Sequence, residues 1–553
     1  MKTPVVAIGL DAADPVLVEE WMDEGHLPNL SALCKEGAYG RLTNLDAYKA
    51  ETPWTTFLSG CMPETSGYWS PVTYRDGTYD LEYIAAYDFK EYPPFYALGD
   101  EFRVAVLDIP QTALSADVNG PQVLAWGAHS PQTESHSLPE SLLDEITSKY
   151  GEHPALHNDH GYWFDGAYLH RVFNQLMTGI ERRTDIACDW LRDNEWDFFM
   201  TVYGEPHSAG HDFWHLSRPD HPLYGKGPEF DCDPMLEVFK KTDQAIGRLR
   251  EVVPEQTNFI VFSVHGSDNN VTDTTSMVIL PELMYRYSFP GKQKMAVGDL
   301  SEPVPDQVLE GWHGQWEPWE NEVWNYRVEE NPVHHFLRKK LPRRLHKALG
   351  KVFTEKQPLR STAEGMADGV PAPWQPTMWY RPMWKDMKAF ATPSFSDGYV
   401  RINLKGREPE GIVEPEDYDK VCDEVTQILM DLRNPRDGTP LVKKVVRTRT
   451  SPNDTSPKHA PADLVVVWSK HPADVADHAE LGRIGPVPYR RTGSHQHRGF
   501  WVVRGPDVAP GTTLEEGHAV DLPPTILEML GAPVPDHLDG KPMHVATRTK
   551  LAI

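Results

Sequence analysis

The chain has 553 residues, of which 40% are hydrophobic and 24% charged, proportions typical of a soluble globular protein with a sizeable core. Its length suits either several domains of average size or one large α/β domain with insertions. The 54 basic and 81 acidic residues leave a formal net charge of −27. A surface so acidic repels nucleic acid and anionic membranes, so we expect neither as a partner, and a small anionic substrate would need metal ions or a local basic patch.

The N-terminus, MKTPVVAIGLDAADP, has too short an apolar stretch for a signal peptide, and no later run approaches the ~18 apolar residues needed to span a bilayer. The cysteines are scattered, odd in number and without a CxxC pair: Cys34, Cys61, Cys188, Cys232 and Cys422. They indicate reduced thiols, so we expect a cytoplasmic location.

Short apolar strands alternate with amphipathic helices along much of the chain. The first strand, PVVAIGL (4–10), ends at Asp11 and is followed by a helical stretch, DPVLVEEWMDEG. Further strands are predicted at 103–110, 122–129, 196–203, 258–266 and 462–469, and helices at 179–194 and 237–253. This alternation predicts one α/β domain with a mostly parallel sheet sandwiched by helices, formed by residues 1–271 and 396–553.

Residues 272–395 differ in character from the rest and are predicted to form an inserted cap. GWHGQWEPWENEVWNYR (311–327) is rich in Trp, and MADGVPAPWQPTMWYRPMW (366–384) is rich in Pro, Trp and Met. The tryptophans could stack on a flat group of a substrate or form a core. The basic run RKKLPRRLHKALGK (338–351) is either a solvated helix face or a phosphate- or partner-binding patch.

Polar residues suited to metal binding follow several of the predicted strands. YGEPHSAGHDFWH (203–215) places histidines four residues apart, on one face of a helix. Asp11 follows the first strand and His265 lies at the carboxyl end of the strand predicted at 258–266, while His495 lies in a Gly-flanked loop. Because the carboxyl ends of parallel strands meet at one edge of the sheet, these residues are predicted to share a site. His129 in WGAHSP is a further candidate for the lining of this site.

The order of the motifs resembles the alkaline phosphatase superfamily, and within it the type I phosphodiesterase/nucleotide pyrophosphatase branch. The resemblance rests on GHLPNLSALCKEG (25–37), TPWTTFLSGCMPETSGYW (52–69), EPHSAGH, SVHG, GYVRINLKGREPEGIV (398–413), TGSHQHRGFWVVRGPDV and AVDLPPTILEMLGAPVPDHLDGKPM (519–543). These motifs follow the order of the family along nearly the whole chain apart from 272–395. The resemblance implies a two-metal hydrolase.

The resemblance also implies site residues. The first ion of the family takes an Asp, a His four residues later and a His near the C-terminus, which correspond here to His207, His211 and His495. The second ion takes Asp11, an Asp-His pair that corresponds to Val264 and His265, and the nucleophile. Two ions close together can hold the attacking and leaving oxygens of a displacement at phosphorus.

The sequence departs from this pattern at three points. His207 replaces an Asp, and Val264, which replaces another, cannot bind metal. Counted without a gap, the nucleophile position falls on Ala50, and one deletion brings Thr52 into place. Three neutral imidazoles favour zinc, with iron or manganese as alternatives.

Several alternatives remain open for the site. The second ion is absent, or recruits Glu51, Asp268 or Asn270, and Glu205 joins the first site if His207 points away. Thr52 is the nucleophile or a helix-capping residue, with a metal-activated water as the other attacker. His497 competes with His495 as a ligand, and His215 is expected to pack rather than bind.

The function predicted from these observations is metal-dependent hydrolysis of a phosphate ester, with a phosphodiester or nucleotide-type pyrophosphate as substrate. One rival is different metal chemistry on the same scaffold, such as hydrolysis of a sulfate, a phosphonate or a C–N bond, or redox chemistry at iron. The other rival is a homologue that binds a ligand or partner without catalysis.

Overall fold

The structure is a computed structural model that describes residues 3–84, 86–127, 133–156, 161–311, 314–328, 333, 336, 359–454 and 456–545. The basic run 338–351 and the candidate His129 lie outside these residues.

The described strands are β1 (Val5–Leu10), β2 (Ala38–Thr43), β3 (Val72–Tyr74), β4 (Leu81–Tyr83), β5 (Val104–Leu107), β6 (Gln122–Leu124), β7 (His136–Leu138), β8 (Phe198–Tyr203), β9 (Asn258–Ser263), β10 (Gly266–Asn269), β11 (Val297–Gly298), β12 (Ala389–Thr392), β13 (Gly398–Ile402), β14 (Val442–Arg447), β15 (Leu464–Trp468), β16 (Ala476–His478), β17 (Gly482–Ile484), β18 (Gly493–Gln496), β19 (Arg498–Arg504), β20 (Thr512–Thr513) and β21 (Gly517–His518).

The described α-helices are α1 (Pro15–Asp23), α2 (Pro28–Glu36), α3 (Pro53–Ser59), α4 (Pro63–Ser66), α5 (Leu142–Tyr150), α6 (Gly166–Asp193), α7 (Glu205–Ser217), α8 (Pro234–Val252), α9 (Leu280–Ser288), α10 (Trp319–Trp324), α11 (Thr362–Ala367), α12 (Pro376–Trp379), α13 (Tyr418–Met430) and α14 (Leu522–Leu530).

The chain divides into two compact units. The first comprises Met1–Pro71, Ile84–Asn270 and Arg491–Ile553, and the second comprises Val72–Tyr83 and Val271–Arg490. The second unit contains residues 272–395, for which a cap is predicted, together with residues 396–490.

A mostly parallel sheet organises the first unit. Among the described residues it has ten strands in the order β20-β2-β19-β9-β1-β8-β5-β6-β7, with β21 paired to β2. The central run β9-β1-β8-β5-β6 is parallel throughout, while β19 and β7 pair antiparallel with their neighbours. The predicted fold class, an α/β sheet sandwiched by helices, is confirmed.

Both faces of this sheet are covered, which explains why its strands are continuously apolar. Val6, Ile8 and Leu10 of β1 pack on one side with apolar residues of α1, α2, α6, α7 and α8. Val5 and Ala7 point to the other side, where they pack with residues of α3 and α14. All six residues of β1 are buried.

The second unit has its own core and a four-stranded antiparallel sheet in the order β12-β13-β15-β14. The prediction that 462–469 belongs to the main sheet is wrong. β15 is buried along its whole length between two antiparallel neighbours, and that burial produces the same apolar run as a central parallel strand. The tryptophans Trp319, Trp379 and Trp384 are buried in this core.

None of the five cysteines forms a disulfide. Among the described residues, no helix is long and apolar enough to cross a membrane.

Candidate metal centre

Three neighbouring strands end at one edge of the main sheet and position the candidate site. β8, β1 and β9 lie side by side and parallel, so their carboxyl ends meet there. Asp11 directly follows β1, α7 follows β8 after Gly204, and His265 lies two residues beyond β9. The Asp11 amide donates to the Tyr203 carbonyl at 2.9 Å, which extends the pairing of β1 and β8.

Helix α7 carries the first two histidines of the site. His207 and His211 are four residues apart, so their side chains lie one above the other on the same face of the helix. Both are buried, and their ring centroids are 4.5 Å apart. His215 lies one turn further, where its Nδ1 is 3.2 Å from the Thr492 hydroxyl oxygen.

Strand β18 contributes the third histidine. A side chain at Gly493 would place its Cβ 2.1 Å from the carbonyl oxygen of Gly210 in α7, so glycine permits this close approach. The approach brings the ring centroid of His495 to 4.7 Å from His207 and 5.0 Å from His211. One potential ligand atom from each of the three histidines lies within 4.8 Å of the others.

Hydrogen bonds set the tautomers of the two helical histidines. Nδ1 of His207 lies 2.8 Å from Oδ2 of Asp11, and Nδ1 of His211 lies 2.7 Å from the Gly493 carbonyl oxygen. Both oxygens accept, so each Nδ1 donates and each neutral ring keeps its lone pair on Nε2. Acceptors of this kind commonly orient metal-binding imidazoles, and the two rings therefore fit a divalent cation.

His495 has the protonation state that a metal ligand needs. Burial lowers the pKa of His495 well below its ordinary value, and the positive charge of Arg491 acts in the same direction, so the ring is neutral at pH 7. Its Nδ1 is buried and has no hydrogen-bond partner within the described part of the chain. In the tautomer that has its proton on Nε2, a bound cation would satisfy this nitrogen.

Asp11 accepts hydrogen bonds on both carboxylate oxygens. Oδ1 lies 2.7 Å from Nε1 of Trp54 and 3.1 Å from Nε2 of His265, while Oδ2 accepts from His207. Burial alone would raise the pKa of Asp11, but its interactions with His207 and His265 outweigh burial and lower the pKa well below its ordinary value. Asp11 is therefore an anion that orients His207.

Among the described residues, His207, His211 and His495 are the one group whose potential ligand atoms converge. The residues predicted for a second ion do not form another such group there. His265 donates Nε2–H to Asp11, and its Nδ1 is buried without a hydrogen-bond partner there. The ligand roles of Asp11 and His265 at a second ion remain predictions.

The alternative ligands for a second ion make other contacts. Asp268 accepts from Arg498 at 3.1 Å, and the Asn270 side chain donates to the Arg491 carbonyl at 3.1 Å. Glu51 accepts a hydrogen bond from the Ala50 amide at 3.3 Å.

Glu205 joins a different cluster. Its Oε1 lies 3.0 Å from Nε2 of His153 and 3.4 Å from Nε of Arg183, and Arg183 also contacts Asp108 at 2.6 Å. All four side chains are buried. The sequence analysis predicts that Glu205 joins the first metal site only if His207 points away from it. His207 instead faces the other two histidines, so this alternative does not apply.

Thr52 lies immediately before α3 and is fully buried. Its hydroxyl donates to the Tyr48 carbonyl at 2.9 Å and does not cap the helix. Two residues on, Trp54 donates to Asp11, a contact that the sequence analysis missed. The motif TPWTTFLSG therefore contacts the site through the indole of Trp54. Nothing in its residue pattern distinguishes this tryptophan from a core residue.

Arg491 was also missed. Its Nη1 lies 3.1 Å from Nε2 of His211, and the side chain is 7% exposed. The Arg-Arg pair before TGSHQH was the available signal, because it places a guanidinium four residues from His495. His497, the competing ligand, lies 3.3 Å from an Asp46 oxygen and outside the three-histidine group.

Comparison with known proteins identifies the family. The model of the type I phosphodiesterase / nucleotide pyrophosphatase family matches residues 5–287, just over half of the chain. The chain therefore belongs to this family, which confirms the resemblance seen in its motifs and supports hydrolysis of phosphate esters. No curated protein sequence matches the chain.

Several solved structures resemble the chain at low identity. Human ectonucleotide pyrophosphatase / phosphodiesterase 5 is 12% identical, with a TM-score of 0.45 over 98% of this chain and 97% of that chain. An inactive form of the murine protein in complex with AMP is 12% identical, with a TM-score of 0.46 over 97% and 96%. Phosphonoacetate hydrolase from Sinorhizobium meliloti in complex with phosphonoformate is 11% identical, with a TM-score of 0.46 over 96% of each chain.

Proposed function

We propose that this protein is a divalent-metal-dependent hydrolase of phosphate esters, and that its substrate is a phosphodiester or a nucleotide-type pyrophosphate. The observation that carries the proposal is the meeting of His207, His211 and His495 within 4.8 Å, in a chain that belongs to a family of phosphodiesterases and pyrophosphatases. Buried imidazoles with their lone pairs turned to a common point are a donor set for a metal ion.

The composition of the donor set supports zinc as the metal and a single ion as the occupancy. Three neutral imidazoles leave the charge of a dication uncompensated and suit a borderline cation better than magnesium, which prefers oxygen ligands. Iron and manganese are the alternatives. When bound, the cation would supply Lewis-acid polarisation of a phosphoryl oxygen and acidify a coordinated water.

The residues around the histidines have definable tasks. Asp11 accepts a hydrogen bond from Nδ1–H of His207 and the Gly493 carbonyl accepts one from Nδ1–H of His211, so both rings keep the orientation that metal binding requires. Trp54 and His265 hold the Asp11 carboxylate by donating to its Oδ1. Burial of the whole group keeps water from competing with these hydrogen bonds.

The metal and the reaction are tested together. We expect the purified protein to contain about one equivalent of zinc and to hydrolyse aryl phosphate esters, diesters faster than monoesters. His211→Ala should lose both metal and activity, whereas His497→Ala, which changes a histidine paired with Asp46, should lose neither. Full activity in His211→Ala would overturn the proposal. Bound iron, or turnover of sulfates or phosphonates alone, would favour different chemistry on the same scaffold.

The identity of the attacking group is tested at Thr52. Because its hydroxyl is buried and donates to the Tyr48 carbonyl, we expect a water to attack and Thr52→Val to retain at least about a tenth of the activity. A fall of about a thousandfold or more, with metal content unchanged, would instead identify Thr52 as the nucleophile.

A further inference from the structure

The guanidinium of Arg491 contacts an atom that the proposed metal needs. Nδ1 of His211 donates to the Gly493 carbonyl, so the neutral ring offers one lone pair, on Nε2. Nη1 of Arg491 donates to this lone pair at 3.1 Å. A metal ion binds imidazole along the same lone pair at about 2 Å, so the guanidinium and a cation cannot both use it.

The charge of Arg491 adds to this competition. A guanidinium remains protonated in proteins, so Arg491 carries a positive charge beside the three histidines. Its Nη1 is 3.1 Å from the His211 ring, so a dication at the histidines would meet electrostatic repulsion from the guanidinium.

Hydrogen bonds hold the backbone around Arg491, so its side chain is the part that can move when a ligand binds. The Asn270 side chain donates to the Arg491 carbonyl at 3.1 Å, and the Thr492 amide donates to the His211 carbonyl at 3.0 Å. The stem of an arginine has several rotatable bonds, so its guanidinium can exchange one acceptor for another without movement of the chain.

An anion is the hydrogen-bond acceptor that would draw the Arg491 guanidinium away from His211. Around the histidines Asp11 carries a negative charge, while Arg491 adds a positive charge to that of a bound dication. A phosphoryl group supplies negative charge together with oxygens that a guanidinium binds in a bidentate manner, more strongly than it binds a neutral imidazole.

We propose that Arg491 couples metal binding to anion binding. Without an anion its guanidinium occupies the His211 lone pair and weakens metal binding, and the phosphoryl group of a substrate draws it away so that metal and substrate bind cooperatively. This inference rests on the proposed function, because it concerns the same metal site. Coupling between two ligands is reciprocal, so it is measurable from the metal side alone, without turnover.

The test is a titration of the metal-free full chain with Zn²⁺, in the absence and presence of saturating methylphosphonate. In the wild type we expect methylphosphonate to tighten zinc binding about tenfold. In Arg491→Met, which keeps an apolar stem but has no charge or donor, zinc alone should bind about tenfold more tightly and methylphosphonate should change the affinity less than about threefold. Arg491→Lys keeps the charge and should still weaken zinc binding.

Arg490→Met is the matched control, because the neighbouring guanidinium lies over the Trp374 ring and 3.7 Å from Asp273. It should behave as the wild type. Absence of coupling in the wild type, or equal coupling in Arg491→Met, would overturn this inference and leave the proposed function intact. Absence of zinc binding in the wild type would overturn both. If Arg491→Met does not fold, Arg491→Gln, which removes the same charge, serves for the comparison with the wild type.

Discussion

Two buried clusters lie along the same edge of the main sheet and share helix α7, yet they are built from opposite chemistry. Glu205, at the start of α7, contacts Arg183, which also contacts Asp108 after β5. Two residues further along the helix, His207 faces His211 and His495. A shift of two residues on one helix thus separates an ion network from a candidate metal centre.

The difference lies in how each cluster satisfies its polar groups. In the first, a guanidinium lies between two carboxylates and His153 donates to one of them, so opposite charges compensate each other inside the protein. In the second, one nitrogen from each of three buried imidazoles lies within 4.8 Å of the others, an arrangement that a cation completes. A buried cluster of titratable groups therefore indicates a metal centre when its potential ligand atoms converge.

The largest effect that separates the two clusters is expected on stability. Arg183→Met leaves the carboxylates of Asp108 and Glu205 buried without their cation, so we expect the free energy of unfolding to fall by about 3–5 kcal/mol. Urea denaturation measures this loss. Arg192→Met, on the exposed face of the same helix, should change it by less than about 0.5 kcal/mol. A loss below about 1 kcal/mol in Arg183→Met would show that the network does not need its cation.

A smaller effect is expected on metal affinity. Asp11→Asn keeps the shape of the side chain but has one acceptor oxygen in place of two, so it cannot accept from His207, Trp54 and His265 as the carboxylate does. We expect zinc to bind about 10–100-fold more weakly, as measured by competition with a chromophoric chelator.

Glu205→Gln is the matching change in the neighbouring cluster. It should alter zinc affinity by less than about threefold while lowering the free energy of unfolding, because it removes a charge that faces Arg183. If both variants weakened zinc equally, the two clusters would have to be regarded as one site.

The smallest effect concerns the pH dependence of stability. Burial lowers the pKa of His215 to about 3 and that of His221 to about 4. Histidine in the unfolded chain titrates near about 6.5, so below that pH the unfolded chain binds protons that the folded chain does not. The free energy of unfolding therefore falls as the pH decreases from about 6.5 towards 4.

His215→Gln removes one of these two contributions. Between about pH 6 and 4 its stability should fall less steeply than that of the wild type, by up to about 1.4 kcal/mol per pH unit. Urea denaturation with a chelator present measures both slopes. Burial raises the pKa of Asp14 to about 6, which acts in the opposite direction but is common to both proteins and cancels in the comparison. Parallel slopes would show that His215 is not a source of the acid sensitivity.

Much of the sheet was predictable because its strands are short, apolar and separated by amphipathic helices. The strands predicted at 4–10, 196–203 and 258–266 all lie in the central parallel run. The strand at 462–469 was placed in the wrong sheet, because burial on both faces gives the same apolar run whether the neighbours are parallel or antiparallel. Sequence pattern reports the burial of a strand and not the direction of its partners.

The sequence by itself determined the strand ends that carry Asp11 and His265, the shared helical face of His207 and His211, and the family. These follow from local geometry and from the order of motifs along the chain. Only the tertiary structure decided that Asp11 orients His207, that Glu205 joins Arg183 and that Arg491 contacts His211. The reason is physical: these contacts join positions up to 280 residues apart, and strand order and close approaches such as that at Gly493 set their distances.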